Sequence, residues 1–244
     1  MRNVFLIRAH TYNDLTILGP SESALTALKA SLEKEFQLSA VGKLHWLLGI
    51  QIGIQPGRIT LNQGAYIDKL LARFGMTDCN PVNLPLDVNC QLRRAREGDS
   101  LGDLTLYQQI IGSLMYLVTG TRPDLAYTVS RLAQYGSKPT IEHVGAAKRV
   151  LRYLKGTRNA SLTFQRSLAN EWKIDGYSDA DYANDRDDRM SYSGYVFMLG
   201  QSTICWRSRK QRCVATSTSE AEFLALSTAA KQQMWLQLAL RDLG

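Results

Sequence analysis

One change of pattern constrains this chain more than any other feature. After Gly156 the apolar spacing shifts from the three or four residues of a helix to the two of a strand. Trp172 and Ile174 alternate with Lys173 and Asp175, Gly194 to Leu199 is wholly apolar, and Ile204 and Trp206 alternate with Cys205 and Arg207. Short loops between such stretches suit consecutive antiparallel strands. A long helix is predicted from about Thr218 to Leu243, with Ser217 and Glu220 at capping-box spacing. Three strands followed by such a helix predict an α/β or α+β layer.

The stretch before this change has a different organisation. Asn3 to Leu18 reads as two strands joined by a turn at Tyr12-Asn13-Asp14, stopped by Gly19-Pro20. Leu25, Leu28, Leu32 and Phe36 give a helix from Ala24 to Phe36, which Ser21 or Ser23 would cap. Leu44 to Ile54 predicts a strand broken at Gly49 and Gly53, with Arg58 to Leu61 as its partner. A short helix over Tyr66 to Phe74 leads to a loop from Cys79 to about Gly102. That loop holds Pro81, Pro85 and the polar run Arg93 to Asp99, and is expected to be a flexible link. Helices follow at Tyr107 to Thr119, Pro123 to Tyr135 and Ile141 to Lys155, the last stopped by Gly156.

Several function classes have no support. The longest mostly apolar run, Leu44 to Ile54, is too short to span a bilayer, and no signal peptide is evident. The expectation is an intracellular protein, in cytoplasm or nucleus, with no membrane partner. The four cysteines show no C-x-x-C spacing and the three histidines no metal-binding pattern. No glycine-rich phosphate loop is present. A net charge of +7 over 244 residues permits a polyanionic partner without requiring one.

Chemistry concentrates near the C-terminus. Between Glu171 and Met190 there are seven acids against three bases. Asp185, Asp187 and Asp188 read as a solvated hairpin loop, whereas Asp179 sits where a strand is about to end. On a helix, Glu222 shares a row with Ala225, Leu226 and Ala229. A carboxylate heading an apolar row is costly without a cation or strong donor. A strand-end Asp meeting a helix-face Glu would give hard oxygen ligands for a divalent ion, as in-line phosphoryl displacement uses. Two basic segments accompany them. Lys148, Arg149, Arg152 and Lys155 lie on one helix, and Arg207, Arg209, Lys210 and Arg212 lie beside Trp206. Each is either an ordinary solvated face or a stripe that follows a nucleic-acid backbone.

The motifs resemble those of one family. G-Y-S-D-A-D-Y-A (Gly176 to Ala183), S-G-Y-V-F-M-L-G (Ser193 to Gly200) and S-T-S-E-A-E-F-L-A-L (Ser217 to Leu226) resemble the ribonuclease H region of copia-type retrotransposon polyproteins. Tyr107 to Leu117, Thr121 to Leu132 and Ala146 to Thr157 are similar to the segment joining polymerase to ribonuclease H. L-H-W-L-L-G-I-Q-I (Leu44 to Ile52) is similar to the strand pair that grips the primer end. The resemblance implies an α+β fold. It has partial reverse-transcriptase palm and thumb over 1–100, a helical connection over 101–165, and an incomplete ribonuclease H-like α/β domain over 166–244.

Carried across residue by residue, the resemblance gives Asp179 and Glu222 as ribonuclease H metal ligands and catalytic carboxylates, with Asp181 able to lend a ligand. The cofactor implied is Mg2+ or Mn2+, and the partner an RNA–DNA hybrid or other nucleic acid. Asp14 matches the second aspartate of the polymerase turn, but Asn13 stands where the first belongs, and an amide brings no charge to a metal. The fingers and the earlier palm strand are absent, so no polymerase activity is expected. The family's third ribonuclease H aspartate lies beyond the long helix, where this chain stops. Weak metal binding and little cleavage are therefore expected, with non-catalytic nucleic-acid binding as the alternative. A sheet lacking its later strands also predicts an exposed edge and self-association.

Overall fold

The computed structural model describes residues 6–10, 14–19, 21–36, 44–87, 90–166 and 173–242. Contacts divide the chain into two compact units, Met1–Leu47 and Leu48–Gly244.

In the first unit β1 (Leu6–His10) and β2 (Asp14–Leu18) pair antiparallel, with His10 opposite Asp14. The turn that holds Tyr12 and Asn13 lies outside the described residues. Helix α1 (Glu22–Glu35) begins where the Ser21 hydroxyl accepts from the Ala24 amide at 3.2 Å, the expected cap. The expected row of Leu25, Leu28 and Leu32 is only half-buried, and Phe36 is exposed. A two-residue strand, β3 (Trp46–Leu47), closes this unit.

The second unit starts with a tight turn. Leu48 and Gly49 both adopt positive φ, 50° and 74°, which ends the strand expected over Leu44 to Ile54 at this point. Gly53 does not break it further, because β4 (Ile50–Gln55) runs straight through to pair with β5 (Arg58–Asn62). Helix α2 (Gly64–Arg73) follows. Three more helices are α3 (Leu104–Gly120), α4 (Ala126–Ala133) and α5 (Ile141–Gly156), with a single 3-10 turn at Pro123–Leu125 before α4. Ile67, Leu70, Tyr107, Ile110, Leu114, Leu132, Val150, Leu151 and Leu154 make their shared core. Thr140 and His143 form a capping box at the start of α5.

The segment expected to be a flexible link lies against that core. Leu92 is buried there, and Cys79, Leu86 and Cys90 pack on the cluster. Arg93 holds Asp99 through two hydrogen bonds of 2.7 and 2.9 Å. Strand β6 (Leu162–Gln165), which the sequence reading omitted, returns from α5 to pair antiparallel with β5.

The remaining layer is β7 (Ile174–Asp181), β8 (Tyr192–Leu199) and β9 (Ser202–Lys210), antiparallel in that order, with α6 (Thr218–Asp242) against one face. Trp172, expected to begin the first strand, lies outside the described residues. The register puts Gly176 beside Phe197, whose ring would stand 2.5 Å from an added Cβ. The bare glycine lets that ring lie flat under α6, where Tyr195, Phe197, Ala229 and Leu236 form a second core. The fold is thus a mixture of helix and sheet, as expected. Among the described residues no helix is long and apolar enough to cross a membrane.

Candidate functional site

The parity of β7 decides where its acids stand. Ser178 and Ala180 pair with Tyr195 and Ser193 on the face that carries α6. Asp179 and Asp181 pair with Gly194 and Tyr192 and belong to the opposite face. Asp179 is exposed there, on the wall of a groove of about 650 Å3 shared with Asp124, Tyr127 and Tyr177. Asp181 is more engaged: the Tyr127 hydroxyl donates to its Oδ2 at 3.1 Å, and so does the Asn184 side-chain amide.

Glu222 arrives from the other side. The buried row of α6 is Ala221, Ala225, Ala229 and Leu236. Glu222 therefore stands beside this row, not at its head, and Leu226 faces solvent at 54% exposure. The Glu222 carboxylate accepts from the Ala180 amide at 3.3 Å. It reaches the backbone next to Asp179, at a strand edge that no other strand covers among the described residues. No group of three His, Cys, Asp or Glu side chains suited to a metal ion occurs among the described residues. Asp179, Asp181 and Glu222 as arranged do not fit a two-ion centre. Ser217 caps α6 as expected, its hydroxyl accepting from the Glu220 amide at 3.1 Å. The Glu220 carboxylate instead accepts from the amide and hydroxyl of Thr216, both at 2.6 Å, which pulls it below the usual carboxylate range.

The acidic loop after β7 is not simply solvated. Asp185 is 1% exposed. Its carboxylate accepts from Lys210 Nζ at 2.7 Å and from the Asp187 amide at 2.9 Å. Burial pushes the Asp185 carboxyl up, but the Lys210 hydrogen bond, the Asp187 amide and the Lys210 charge together outweigh it, so it lies below its ordinary value. Lys210 also donates to Asp188 and to Gln134 at 2.7 and 3.1 Å. The Asp187 carboxylate accepts from the Arg94 amide at 2.8 Å. Lys210 projects from β9 on the same face as Tyr192, toward α4.

The basic stripe of α5 is largely committed to its own chain. Arg152 donates to the Asn80 carbonyl at 2.7 Å, and Lys155 to the Cys79 carbonyl at 2.8 Å. Arg149 pairs with Asp87 at 3.7 Å. Lys148 faces solvent. On β9, Arg207 and Arg209 are exposed on alternate positions. The neighbouring Trp206 is anchored, its indole N–H donating to the Val118 carbonyl at 2.8 Å. Asp14 begins β2 opposite His10, in the first unit, while Asn13 lies outside the described residues.

One polar node escaped the sequence reading. Arg122, 1% exposed, binds Asp124 at 3.0 and 2.7 Å and the hydroxyl of Thr157 at 2.7 Å. Tyr153 adds its hydroxyl to Asp124 at 2.9 Å. Burial pushes Asp124 up, but Arg122 and Tyr153 together hold it below the usual range. The available signal was the Arg-Pro-Asp order: a proline opening a helix fixes the two charged neighbours on one turn. The node ties the 3-10 turn at the groove wall to the end of α5.

Comparison with known proteins bears on all of this. Residues 2–88 match the family model described as reverse transcriptase (RNA-dependent DNA polymerase). The Retrovirus-related Pol polyprotein from transposon RE1 of Arabidopsis thaliana is 38% identical over 95% of this chain and 16% of its own length. The corresponding polyprotein from transposon TNT 1-94 of Nicotiana tabacum is 35% identical over 99% of this chain and 18% of its own length. The putative transposon Ty5-1 protein of Saccharomyces cerevisiae is 31% identical over 88% of this chain and 70% of its own length. This chain thus spans less than a fifth of the two polyproteins. No solved structure matches it. With the motifs of β7 to α6 in the order found and relatives matching along nearly the whole chain, this protein belongs to the copia-type retrotransposon Pol polyprotein family, as a reverse-transcriptase-like fragment.

Proposed function

We propose that this fragment holds nucleic acid through a ribonuclease H-like layer, β7 to α6, that no longer cuts efficiently. One observation supports the reading above others. Glu222 lies on the α6 side of β7 and binds the Ala180 amide, while Asp179 and Asp181 stand on the opposite face. A Mg2+ or Mn2+ site built from these residues would need the three carboxylates to converge on one point. Here Glu222 would first have to leave the amide and turn around the strand edge. Asp181 would have to give up Tyr127 and Asn184.

Retention of binding rests on charge left free by the fold. Arg207 and Arg209 are exposed on the face of β9 that carries α6, across the sheet from Asp179, and Lys148 is exposed on α5. An RNA–DNA hybrid presents two phosphate backbones to such side chains. Counterion release then makes the affinity fall with salt.

A labelled RNA–DNA hybrid tests both halves. The expected result is binding that survives EDTA and falls steeply with salt, and no cleavage in Mg2+ or Mn2+ beyond that of Asp179→Asn. Cleavage present in the wild type and lost in Asp179→Asn would overturn the dormant reading. Absence of hybrid binding by folded protein at low salt would overturn the binding reading.

A further inference from the structure

Helix α6 carries two apolar rows, and only one of them meets the sheet. Ala221, Ala225, Ala229 and Leu236 are buried against β7 and β8. On the other side of the helix Phe223, Leu226, Met234 and Leu238 are 71%, 54%, 64% and 49% exposed. With the exposed Ala230 between them they follow the three- and four-residue spacing of one face. Large apolar side chains in an exposed row are the composition of a contact surface, not of a solvated helix.

We propose that this row binds a second copy of the same chain, two α6 helices crossing antiparallel about a twofold axis beside Ala230. The row is arranged for self-pairing. Ala230 is its midpoint, and its small side chain lets two backbones approach. From that centre Leu226 and Met234 lie four residues to either side, so each Leu226 meets the partner's Met234. Phe223 and Leu238 lie seven and eight residues out and meet at the ends. The charges follow the same plan. Glu220 is in the first turn of α6 and Arg241 in the last. Antiparallel pairing brings each Glu220 toward the partner's Arg241 and opposes the helix dipoles. Parallel pairing would set Glu220 against Glu220. An unrelated apolar partner would need no such symmetry, whereas an isologous contact requires it.

The strand edge of β7 is the less suitable surface for association. Glu222 already occupies its Ala180 amide, and a charged side chain at an open edge discourages strand addition.

Sedimentation of the full chain at about 10–100 μM spans the range in which modest helix pairs form. The expected result is a concentration-dependent dimer, weakened at least about tenfold by Met234→Glu. Ile141→Glu, which changes an equally exposed apolar residue on α5, should leave the dimer intact. Unchanged circular dichroism in both variants keeps folding out of the comparison. In a Cys213→Ser background, Ala230→Cys should form a disulfide-linked dimer on oxidation. Gln237→Cys should not, since its two copies would stand roughly 21 Å apart along the helix. A monomer at about 100 μM, a dimer that persists in Met234→Glu, or a link through position 237 but not 230 would each overturn the proposal.

Discussion

Two segments of this molecule carry the same sequence signature and meet opposite fates. On α5, Arg149, Arg152 and Lys155 turn inward along the chain and bind Asp87 and the carbonyls of Asn80 and Cys79. On β9, Arg207 and Arg209 stay exposed while Lys210, one residue further, is drawn into a buried pair. The irregular segments 79–87 and 90–102 explain the first outcome. They have few strand or helix partners for their own carbonyls, and Arg152 and Lys155 supply two of them at Asn80 and Cys79. Strand parity explains the second: the face of Arg207 and Arg209 is not the face that meets Asp185. A cluster of bases thus says nothing about its partner until the nearest unpaired acceptors are known.

The contrast can be broken most severely at Lys210. Lys210→Met should destabilise the protein by about 3–5 kcal/mol in chemical denaturation, because it leaves the buried Asp185 carboxylate without its cation. The pH dependence gives a second reading of the same pair. Asp185 lies below its ordinary value when folded, so its stabilisation is present above the unfolded carboxylate value, about pH 4. It is lost as pH falls through the depressed folded value. The gap between wild type and Lys210→Met should therefore narrow on acidification. A gap that is constant from neutral pH to about 3 would remove Asp185 from the account.

A smaller effect is expected on α5. Arg152→Ala with Lys155→Ala should cost about 2 kcal/mol of stability, as two charge-assisted hydrogen bonds, partly solvated, are lost. Hybrid affinity should hardly change. If affinity fell as much as stability, the α5 cations would have to serve nucleic acid as well as the loop.

The smallest expected effect, in energy, lies on β9. Arg207→Ala with Arg209→Ala should weaken hybrid binding about tenfold and reduce the slope against salt by about two phosphate contacts. Stability should stay within about 0.5 kcal/mol, since both side chains are exposed. An unchanged salt slope would move the binding surface away from β9.

Much of the layer from β7 to α6 was legible in the sequence. Alternation located β7 and β9, an apolar run located β8, and Ser217 located the start of the helix, because these signals are local. Glu222 was harder. Its predicted row, Ala225, Leu226 and Ala229, overlaps the true buried row, and helical spacing alone does not say which of two apolar rows meets the sheet. The relation of Glu222 to Asp179 was illegible for a similar reason: one residue of strand parity moves a carboxylate to the other face. Lys210, read as a binding residue, and Asp185, read as solvated, found each other across 25 residues. The packing of 79–102 and the strand β6 depended on contacts made far along the chain. Leu162 and Phe164 alternate with Thr163 and Gln165, but four residues are too few to distinguish a strand from a loop.

The pairing of β5 with β6 has a consequence for the order in which this molecule assembles. Asn62 reaches the Ala160 carbonyl over a separation of 98 residues, and the two strands close the same span. Bringing such distant points together costs about 4 kcal/mol of chain entropy before any ladder bond forms. The helices α3 to α5, whose contacts with one another are nearer in sequence, condense first and shorten the span that separates the two strands. The clasp is then a late event, a seal on a lobe already formed and not the seed from which it grows.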